Sequence, residues 1–231
     1  QPILTSDITG LGTLRVLDSL REIAPDAKFY QASSSEMYGN QIGMKNENTP
    51  FKPRSPYGVA KVFAHHTTNH YKEAYNIFAC CGILFNHESP LRGLEFVTRK
   101  ITYELALIKY KKQKKFKLGN IYAKRDWGFA GDYVEAMWLM LQQKQPEDYV
   151  ISTGESHSVE DFLNLATEFS ELGDWKNLVE IDKSILRPTD IDDLVGDSSK
   201  ARTQLGWKPK MNFRQLVKSM VEHDLEFVKT H

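Results

Sequence analysis

The stretch Lys28-Phe29-Tyr30-Gln31-Ala32-Ser33-Ser34-Ser35-Glu36 reads as a short buried strand that ends in a polar cluster. A long helix is predicted after it at 57–75, and a second apolar strand at 77–85. Helix and strand in alternation are typical of a parallel sheet with crossover helices. Ligands of such sheets bind at the carboxyl ends of the strands, where Ser34 and Glu36 fall. The sequence therefore predicts an α/β fold with a site at this strand end.

The same alternation continues on both sides of this segment. An amphipathic helix is predicted at 8–23 from its leucine spacing. Asp132-Tyr133-Val134-Glu135 resembles a capping box that opens a helix through Gln143, and Ser158-Val159-Glu160-Asp161 caps another. The other predicted elements are helices at 96–111, 197–205 and 213–229, and strands at 116–119 and 149–154.

Composition excludes several classes of function. The 231 residues carry 30 basic and 30 acidic side chains, so bulk charge does not favour nucleic acid or an anionic membrane. No run approaches the roughly 18 apolar residues of a membrane span, and no signal-peptide pattern opens the sequence. The two cysteines, Cys80 and Cys81, are adjacent, so no disulfide framework is expected. These features predict residence in the reducing cytoplasm.

Tyr57 and Lys61 stand four residues apart in Ser55-Pro56-Tyr57-Gly58-Val59-Ala60-Lys61, which places both on one face of the predicted helix. A phenol titrates near ~10, and a nearby ammonium is expected to lower its pKa towards that of a working base. The hydroxyl of Ser34 is placed to hydrogen-bond the same substrate oxygen. Together these groups suit hydride transfer between a sugar carbon and a nicotinamide. The alternative is a surface tyrosine beside a surface lysine.

Glu36 narrows the reaction. Oxidation of an alcohol or epimerisation at C4 needs only the tyrosine and the hydroxyl. Loss of water next to a ketone also needs a base for a carbon-bound proton and an acid for the departing hydroxyl, and one carboxyl can serve both. The alternative is a solvated loop glutamate without a role. No metal is expected, because His66 and His70 lie one turn apart but no third ligand evidently joins them.

Longer motifs extend these observations over nearly the whole chain. They are Phe29 to Gly39, Pro53 to Gly58, Gly82 to Pro90, Phe96 to Ile101, Leu118 to Asn120, Ala123 to Gly128, Asp132 to Gln142, and Arg187 to Thr189. In these motifs the chain resembles the GDP-mannose 4,6-dehydratases, which are extended members of the short-chain dehydrogenase/reductase superfamily. The resemblance implies a Rossmann-like, doubly wound parallel sheet with a smaller C-terminal α/β domain that binds substrate.

The resemblance also implies catalytic roles. Tyr57 removes the C4 hydroxyl proton of GDP-mannose as hydride passes to NADP, with Ser34 bound to the same oxygen. Lys61 holds the cofactor ribose and tunes Tyr57. Glu36 takes the C5 proton and helps water leave from C6. The hydride then returns to C6, which gives a 4-keto-6-deoxy sugar nucleotide, so the chain is expected to be a lyase of nucleotide-sugar metabolism leading to GDP-fucose.

Binding residues follow from the same resemblance, and NADP is inferred from the family alone. The cofactor is expected to contact Tyr57, Lys61, His87 and Arg92. The GDP-sugar is expected to contact Asn86, Lys100, Arg125, Arg187 and Asp190. Arginine and lysine suit a diphosphate. The first two predicted helices imply a homodimer or homotetramer, since they pair as a four-helix bundle in the family.

The expected domains are 1–90, the C-terminal half of the NADP-binding domain, and 91–231, mainly the substrate domain. Residues 119–154 are expected to return partly to the first domain. The glycine-rich turn that cradles a cofactor pyrophosphate is not found, and we expect that roughly a hundred residues of the nucleotide-binding half are missing from the chain.

Three positions depart from the family pattern, and several functions stay open. Ser34 replaces a threonine, Leu91 an arginine, and Asp190 a glutamate. The last change leaves the identity of the hexose open. The alternatives are a dehydratase, epimerase or reductase of the same fold that acts on a related sugar nucleotide, and a non-catalytic paralogue.

Overall fold

The computed structural model describes residues 1–185 and 191–231. Within them the strands, in chain order, are β1 (Phe29–Ser34), β2 (Ala79–Leu84), β3 (Asn86–Glu88), β4 (Phe116–Leu118), β5 (Lys124–Arg125), β6 (Trp127–Phe129), β7 (Tyr149–Ile151), β8 (His157–Ser158), β9 (Val179–Ile181) and β10 (Asp193–Leu194). The α-helices are α1 (Pro2–Thr5), α2 (Gly12–Ile23), α3 (Pro56–Tyr75), α4 (Val97–Lys109), α5 (Ala130–Gln142), α6 (Val159–Ser170), α7 (Ser199–Leu205) and α8 (Phe213–Thr230).

The main sheet has the order β1-β2-β7, and all its pairings are parallel. Its register places Ser34 beside Leu84 and Leu84 beside Ile151. The three strands therefore end together along one edge of the sheet. Helix α3 connects β1 to β2, which is the predicted crossover, so the predicted parallel α/β fold is confirmed.

Helices cover both faces of this sheet, as a doubly wound fold requires. Cys80 and Leu84 of β2 pack in one cluster with residues of α5 and α7. Ala79 packs on the other face, in a cluster that includes Tyr71 of α3 and Leu17 of α2. Alternate residues of a strand point to opposite faces, so one buried strand serves both layers. The adjacent cysteines are both buried and form no disulfide.

A second apolar cluster lies in the C-terminal part of the chain. Helices α4, α6 and α8 surround it, and strands β4 and β9 pair in parallel beside them. Trp127, Phe162 and Phe213 meet at its centre, with ring centroids about 6 Å apart. Strand β7 returns the chain to the main sheet. The domain boundary at residue 90 and the return over 119–154 stay predictions.

Two local predictions were wrong. The first helix begins at Pro2 rather than near residue 8, and a π-helical segment at Ser6–Leu11 joins α1 to α2. Helix α5 begins at Ala130, so the predicted capping box at Asp132 is absent. The Asp132 side chain instead accepts hydrogen bonds from the backbone nitrogens of Lys210 and Met211, at 2.8 and 3.1 Å. A carboxylate in a first helical turn remains favourable there because of the helix dipole.

The other cap prediction is confirmed. Ser158 and Asp161 exchange hydrogen bonds as a capping box at the start of α6. None of the described helices has the length and apolar character needed to cross a membrane.

Candidate active site

The end of β1 turns sharply and presents two predicted site residues. Ser34 is the N-cap of a 3-10 turn at Ser35–Met37, and its Oγ accepts a hydrogen bond from the backbone nitrogen of Glu36 at 3.2 Å. Both side chains are partly exposed. The turn therefore brings a hydroxyl and a carboxyl out of the sheet at the same strand end.

Helix α3 starts directly against this turn. Ser55 caps it by accepting a hydrogen bond from the nitrogen of Gly58 at 3.0 Å, and Pro56 occupies the first turn. A Cβ on Gly58 would lie only 2.9 Å from the carbonyl oxygen of Glu36. Glycine at this position thus permits the close approach that places Tyr57 beside the end of β1.

Tyr57 lies beside Ser34 and Glu36, since both shift the pKa of its phenol. Although 41% of the tyrosine is exposed, its partial loss of water raises the pKa of the phenol. The side chain of Ser34 and the charge of Arg92 lower the pKa of the phenol, and the carboxylate of Glu36 raises it. The structure thus brings Ser34, Glu36, Tyr57 and Arg92 into one electrostatic environment.

Lys61 is bound to strand β1. Its Nζ donates a hydrogen bond to the carbonyl oxygen of Ala32 at 2.7 Å and lies 5.6 Å from the ring centroid of Tyr57. Burial lowers the pKa of Lys61 itself. In the ligand-free structure desolvation is the main cause of the raised pKa of Tyr57, and Lys61 is not among the groups that shift it, so the tuning of Tyr57 by Lys61 stays a prediction.

His87 lies on β3, beyond the end of β2. Its Nδ1 donates to the carbonyl oxygen of Phe85 at 2.9 Å, and its ring stacks on Tyr133 with centroids 5.0 Å apart. Burial lowers the pKa of His87, so the ring is neutral near pH 7 and its Nε2 is an acceptor. Asn86 precedes it and pairs with Trp127 of β6.

Arg92 is held within a structured loop. Its Nε lies 3.3 Å from Oε2 of the buried Glu88, and its guanidinium lies 3.5 Å from the ring centroid of Phe96. Thr98 Oγ1 donates to the same Glu88 oxygen at 2.6 Å. Burial raises the pKa of Glu88. These contacts fix Arg92 in a position from which its charge acts on Tyr57.

Arg99 supports this loop from beneath, a role that the sequence did not reveal. Its Nη1 donates to the carbonyl oxygens of Pro90 and Arg92, the latter at 3.1 Å. Its Nε and Nη2 meet the fully buried carboxylate of Asp224 on α8, at 2.8 and 2.7 Å. No sequence signal pairs two residues so far apart in the chain.

The predicted substrate residues are more scattered. Lys100 Nζ donates to the carbonyl oxygen of Lys117 at 2.8 Å. Arg125 Nη1 donates to the carbonyl oxygens of Lys124 and Ile191, at 2.8 and 2.6 Å. The predictions for Arg187 and Asp190 lie outside the described residues.

Solved structures of other proteins share this fold. RMD from Pseudomonas aeruginosa, complexed with NADPH, superposes with a TM-score of 0.89 at 21% identity, covering 98% of this chain and 76% of its own. dTDP-glucose 4,6-dehydratase from Bacillus anthracis, in complex with NAD, gives 0.85 at 22%, covering 96% and 69%. The fold and the strand-end site define a Rossmann-like α/β protein with its candidate site at the carboxyl ends of the parallel strands.

The family follows from sequence comparison. The family model for GDP-mannose 4,6 dehydratase matches residues 1–220, and the chain belongs to that family. It is 56% identical, over 99% of its length, to GDP-mannose 4,6 dehydratase 1 of Arabidopsis thaliana, and 48% identical, over 98%, to GDP-mannose 4,6 dehydratase of Homo sapiens. It spans 64% and 66% of these two relatives, less than two thirds of either.

Proposed function

We propose that this protein removes water from GDP-mannose to give GDP-4-keto-6-deoxy-mannose. One observation carries the proposal: Tyr57 lies beside Ser34 and Glu36 at the carboxyl end of β1, close enough for both to shift the pKa of its phenol, in a chain of this family. A phenol, a hydroxyl and a carboxyl in one place are the groups that oxidation at C4 and elimination across C5 and C6 require.

The residues present fit a nicotinamide cofactor, and we assign NADP. Lys61 Nζ donates one hydrogen bond to the carbonyl oxygen of Ala32, and within the described part of the chain it forms no ion pair with a carboxylate. It therefore retains protons for ribose hydroxyls. Tyr57, Lys61, His87 and Arg92 would hold the cofactor, which supplies reversible two-electron oxidation of the sugar when bound. NADPH in one structural neighbour and NAD in another make the choice of cofactor a point to test.

Tyr57 acts as the base for the C4 hydroxyl. Its phenolate oxygen takes the hydroxyl proton while the Ser34 hydroxyl bonds the same sugar oxygen. A phenol with a raised pKa stays protonated near pH 7. Positive charge that arrives with the bound ligands must therefore favour the phenolate before Tyr57 can act as a base. Arg92 already acts in that direction. Proton transfer to a positioned group of this kind contributes roughly 10²–10⁴-fold in rate.

Glu36 carries the elimination. Once C4 is a ketone, the C5 proton is acidified, and the carboxylate takes it. The C6 hydroxyl then leaves with a proton delivered by the same carboxyl, so the atoms lost sum to one water. The 3-10 turn fixes Glu36 through the bond from its backbone nitrogen to Ser34 Oγ. The carboxyl of Glu36 and the hydroxyl of Ser34 are therefore held by the same turn at the end of β1.

We assign the GDP-sugar to Asn86, Lys100, Arg125, Arg187 and Asp190, as in the family motifs. The cationic side chains suit the diphosphate. We further propose a cytoplasmic homodimer or homotetramer. Support comes from apolar side chains that α1, α2 and α3 leave exposed, among them Ile3 at 87%, Val59 at 55% and Phe63 at 43%. Molecular mass in solution tests the assembly.

The test of function is product analysis. The native protein is incubated with GDP-mannose and a trace of NADP, or of NAD in a parallel arm. We expect a nucleotide sugar lighter by one water and no net reduced cofactor. A C4 epimerase would give a product of unchanged mass, and a reductase would turn over only in a further arm with added NADPH, which it would consume. A non-catalytic paralogue would leave GDP-mannose intact in both arms.

A further inference from the structure

One face of α3 docks on the sheet through polar contacts at every fourth residue. Lys61 meets the carbonyl oxygen of Ala32, and His65 Nδ1 lies 3.0 Å from Ser33 Oγ. One turn before Lys61 on this face, Tyr57 lies beside Ser34. Residues four apart share a helix face, so Tyr57, Lys61 and His65 form a row on the face of α3 that lies against the C-terminal half of β1. The row includes the reacting tyrosine at one end.

The His65 contact lies in a buried, ordered network. Ser33 is 3% exposed and His65 5%. The amide nitrogen of Asn69 lies 3.3 Å from His65 Nε2 and donates to Asp148 Oδ2 at 2.8 Å. The amide nitrogen of Asn69 therefore faces both His65 and Asp148, and His65 Nε2 accepts a hydrogen bond from it. It follows that Nδ1 carries the ring hydrogen and donates it to Ser33 Oγ.

Charges around the ring agree with a neutral histidine. Asp148 also accepts from the backbone nitrogen of Cys81 at 2.8 Å and lies 3.8 Å from Lys72 Nζ. Burial lowers the pKa of His65 to about 4, with His66 and Lys72 acting in the same direction and Asp148 against it. The ring therefore remains an uncharged donor near pH 7.

A metal site is the competing interpretation of the same residues. Ligand atoms of His65, Cys81 and Asp148 lie within 4.8 Å of one another. However, both ring nitrogens already have hydrogen-bond partners, and the Lys72 ammonium beside Asp148 would repel a cation. The contacts favour a hydrogen-bonded network over a metal ion.

We propose that His65 is a positioning residue: its bond to Ser33 fixes α3 along β1, so that the hydroxyl of Tyr57 meets Ser34. The inference rests on the proposed function. Ser33 and Ser34 are adjacent, so a shift of the helix against one moves Tyr57 relative to the other. A slip of one residue is about 1.5 Å of helix rise, and a hydrogen bond tolerates only a few tenths of an ångström.

Two substitutions distinguish the roles of the two ring nitrogens of His65. In His65→Asn the amide nitrogen can occupy the place of Nδ1 and keep the bond to Ser33. In His65→Gln the amide lies near the place of Nε2, and the Ser33 bond is lost. We expect kcat to fall about 10-fold or more in His65→Gln with KM within about twofold, and to recover to within about threefold of native in His65→Asn. Equal losses in both variants would overturn the proposal.

A second readout does not need turnover. Tyrosine labelled with ¹³C at Cζ reports ionisation of Tyr57 by NMR. Loss of the interaction with Ser34 should raise the apparent pKa of Tyr57 in His65→Gln but not in His65→Asn, and an unchanged titration in His65→Gln would overturn the positioning role. A native protein without dehydratase activity would refute the proposed function and leave this test intact. If His65→Gln does not fold, Ser33→Ala must reproduce the lower kcat, and native kcat in it would refute the proposal.

Discussion

Lys61 Nζ donates a hydrogen bond to the carbonyl oxygen of Ala32 at 2.7 Å, and the ammonium is thereby bound to β1. The residue in the lysine position of the Tyr-x-x-x-Lys pair thus anchors α3 to the strand that carries Ser34. Its charge does not set the pKa of Tyr57 in this state, where partial burial dominates. The lysine therefore has a mechanical role that exists before any ligand binds.

Substitution of Lys61 by methionine tests this separation of roles. The variant keeps the apolar stem but removes the ammonium. We expect the apparent pKa of Tyr57 in the ligand-free protein to change little, because the lysine does not set it. Turnover should fall by about 10²-fold as cofactor and helix lose an anchor. NMR titration of Tyr57 beside steady-state kinetics gives both values, and a large rise in the tyrosine pKa would contradict the account.

Substitution of Glu36 by glutamine should separate the two half-reactions. The backbone bond to Ser34 is kept, so the turn should hold its shape. Oxidation at C4 should remain detectable, seen as transient absorbance of reduced cofactor in a single turnover. Loss of water should slow by roughly 10²–10⁴-fold, because the base for C5 is gone.

The control for that experiment is Glu47→Gln, which alters a carboxylate whose Oε1 accepts from the backbone nitrogen of Val150, away from Tyr57. It should leave the ratio of oxidation to elimination unchanged. Native rates of water loss in Glu36→Gln would remove this carboxylate from the mechanism.

The ion pair of Arg99 and Asp224 should dominate the stability of the loop that carries Pro90 and Arg92. Asp224 is fully buried and also accepts from Thr102 Oγ1 at 2.5 Å. Asp224→Asn leaves a buried guanidinium without its counter-charge, which costs about 3–5 kcal/mol in free energy of unfolding. Chemical denaturation measures this directly.

The matched variant is Glu222→Gln, on the same helix. Its exposed carboxylate lies 3.7 Å from Lys218 Nζ, and exposed pairs contribute at most about 1 kcal/mol. Similar losses for both substitutions would mean that burial of the Arg99 pair does not matter.

His65 should make stability depend on pH. Its pKa is lowered from 6.5 to about 4 in the folded chain, so the unfolded chain binds a proton first as pH falls. Stability should therefore decrease between about pH 7 and pH 4, by on the order of 3 kcal/mol, and this contribution should not fall further below pH 4. Burial is the main cause of the lowered pKa, Asp148 opposes it, and His66 and Lys72 add to it.

Denaturation midpoints across this pH range give the slope. His65→Asn removes the titrating ring and should flatten the profile. His66→Asn, at the exposed neighbouring position, should retain it. A native slope in His65→Asn would assign the pH dependence to other groups.

What the sequence could predict was local. The end of β1 follows from the change from apolar residues to Ser34 and Glu36, and the start of α3 from Ser55 and Pro56. The predicted capping box at Asp132 does not form. The helix begins at Ala130, and the Asp132 carboxylate instead accepts hydrogen bonds from the backbone that precedes α8. A local sequence pattern cannot show that a backbone segment far along the chain will bind the carboxylate.

Long-range pairs account for most of what was not predicted at the site. Asp224 lies far along the chain from Arg99, and Asp148 from His65, and neither has a spacing rule. Desolvation raises the pKa of Tyr57, and a helix pattern reports neighbouring residues but not desolvation. Gly58 did carry a signal, since glycine within the first turn of a helix indicates a close approach.

The most direct test of the central claim follows one hydrogen atom. GDP-mannose deuterated at C4 is converted by the native protein, and the product is analysed by NMR and mass spectrometry. The account predicts that the deuterium is recovered at C6 of a 4-keto-6-deoxy product, with a solvent-derived hydrogen at C5. Deuterium that stays at C4, or is lost from the product, would contradict it.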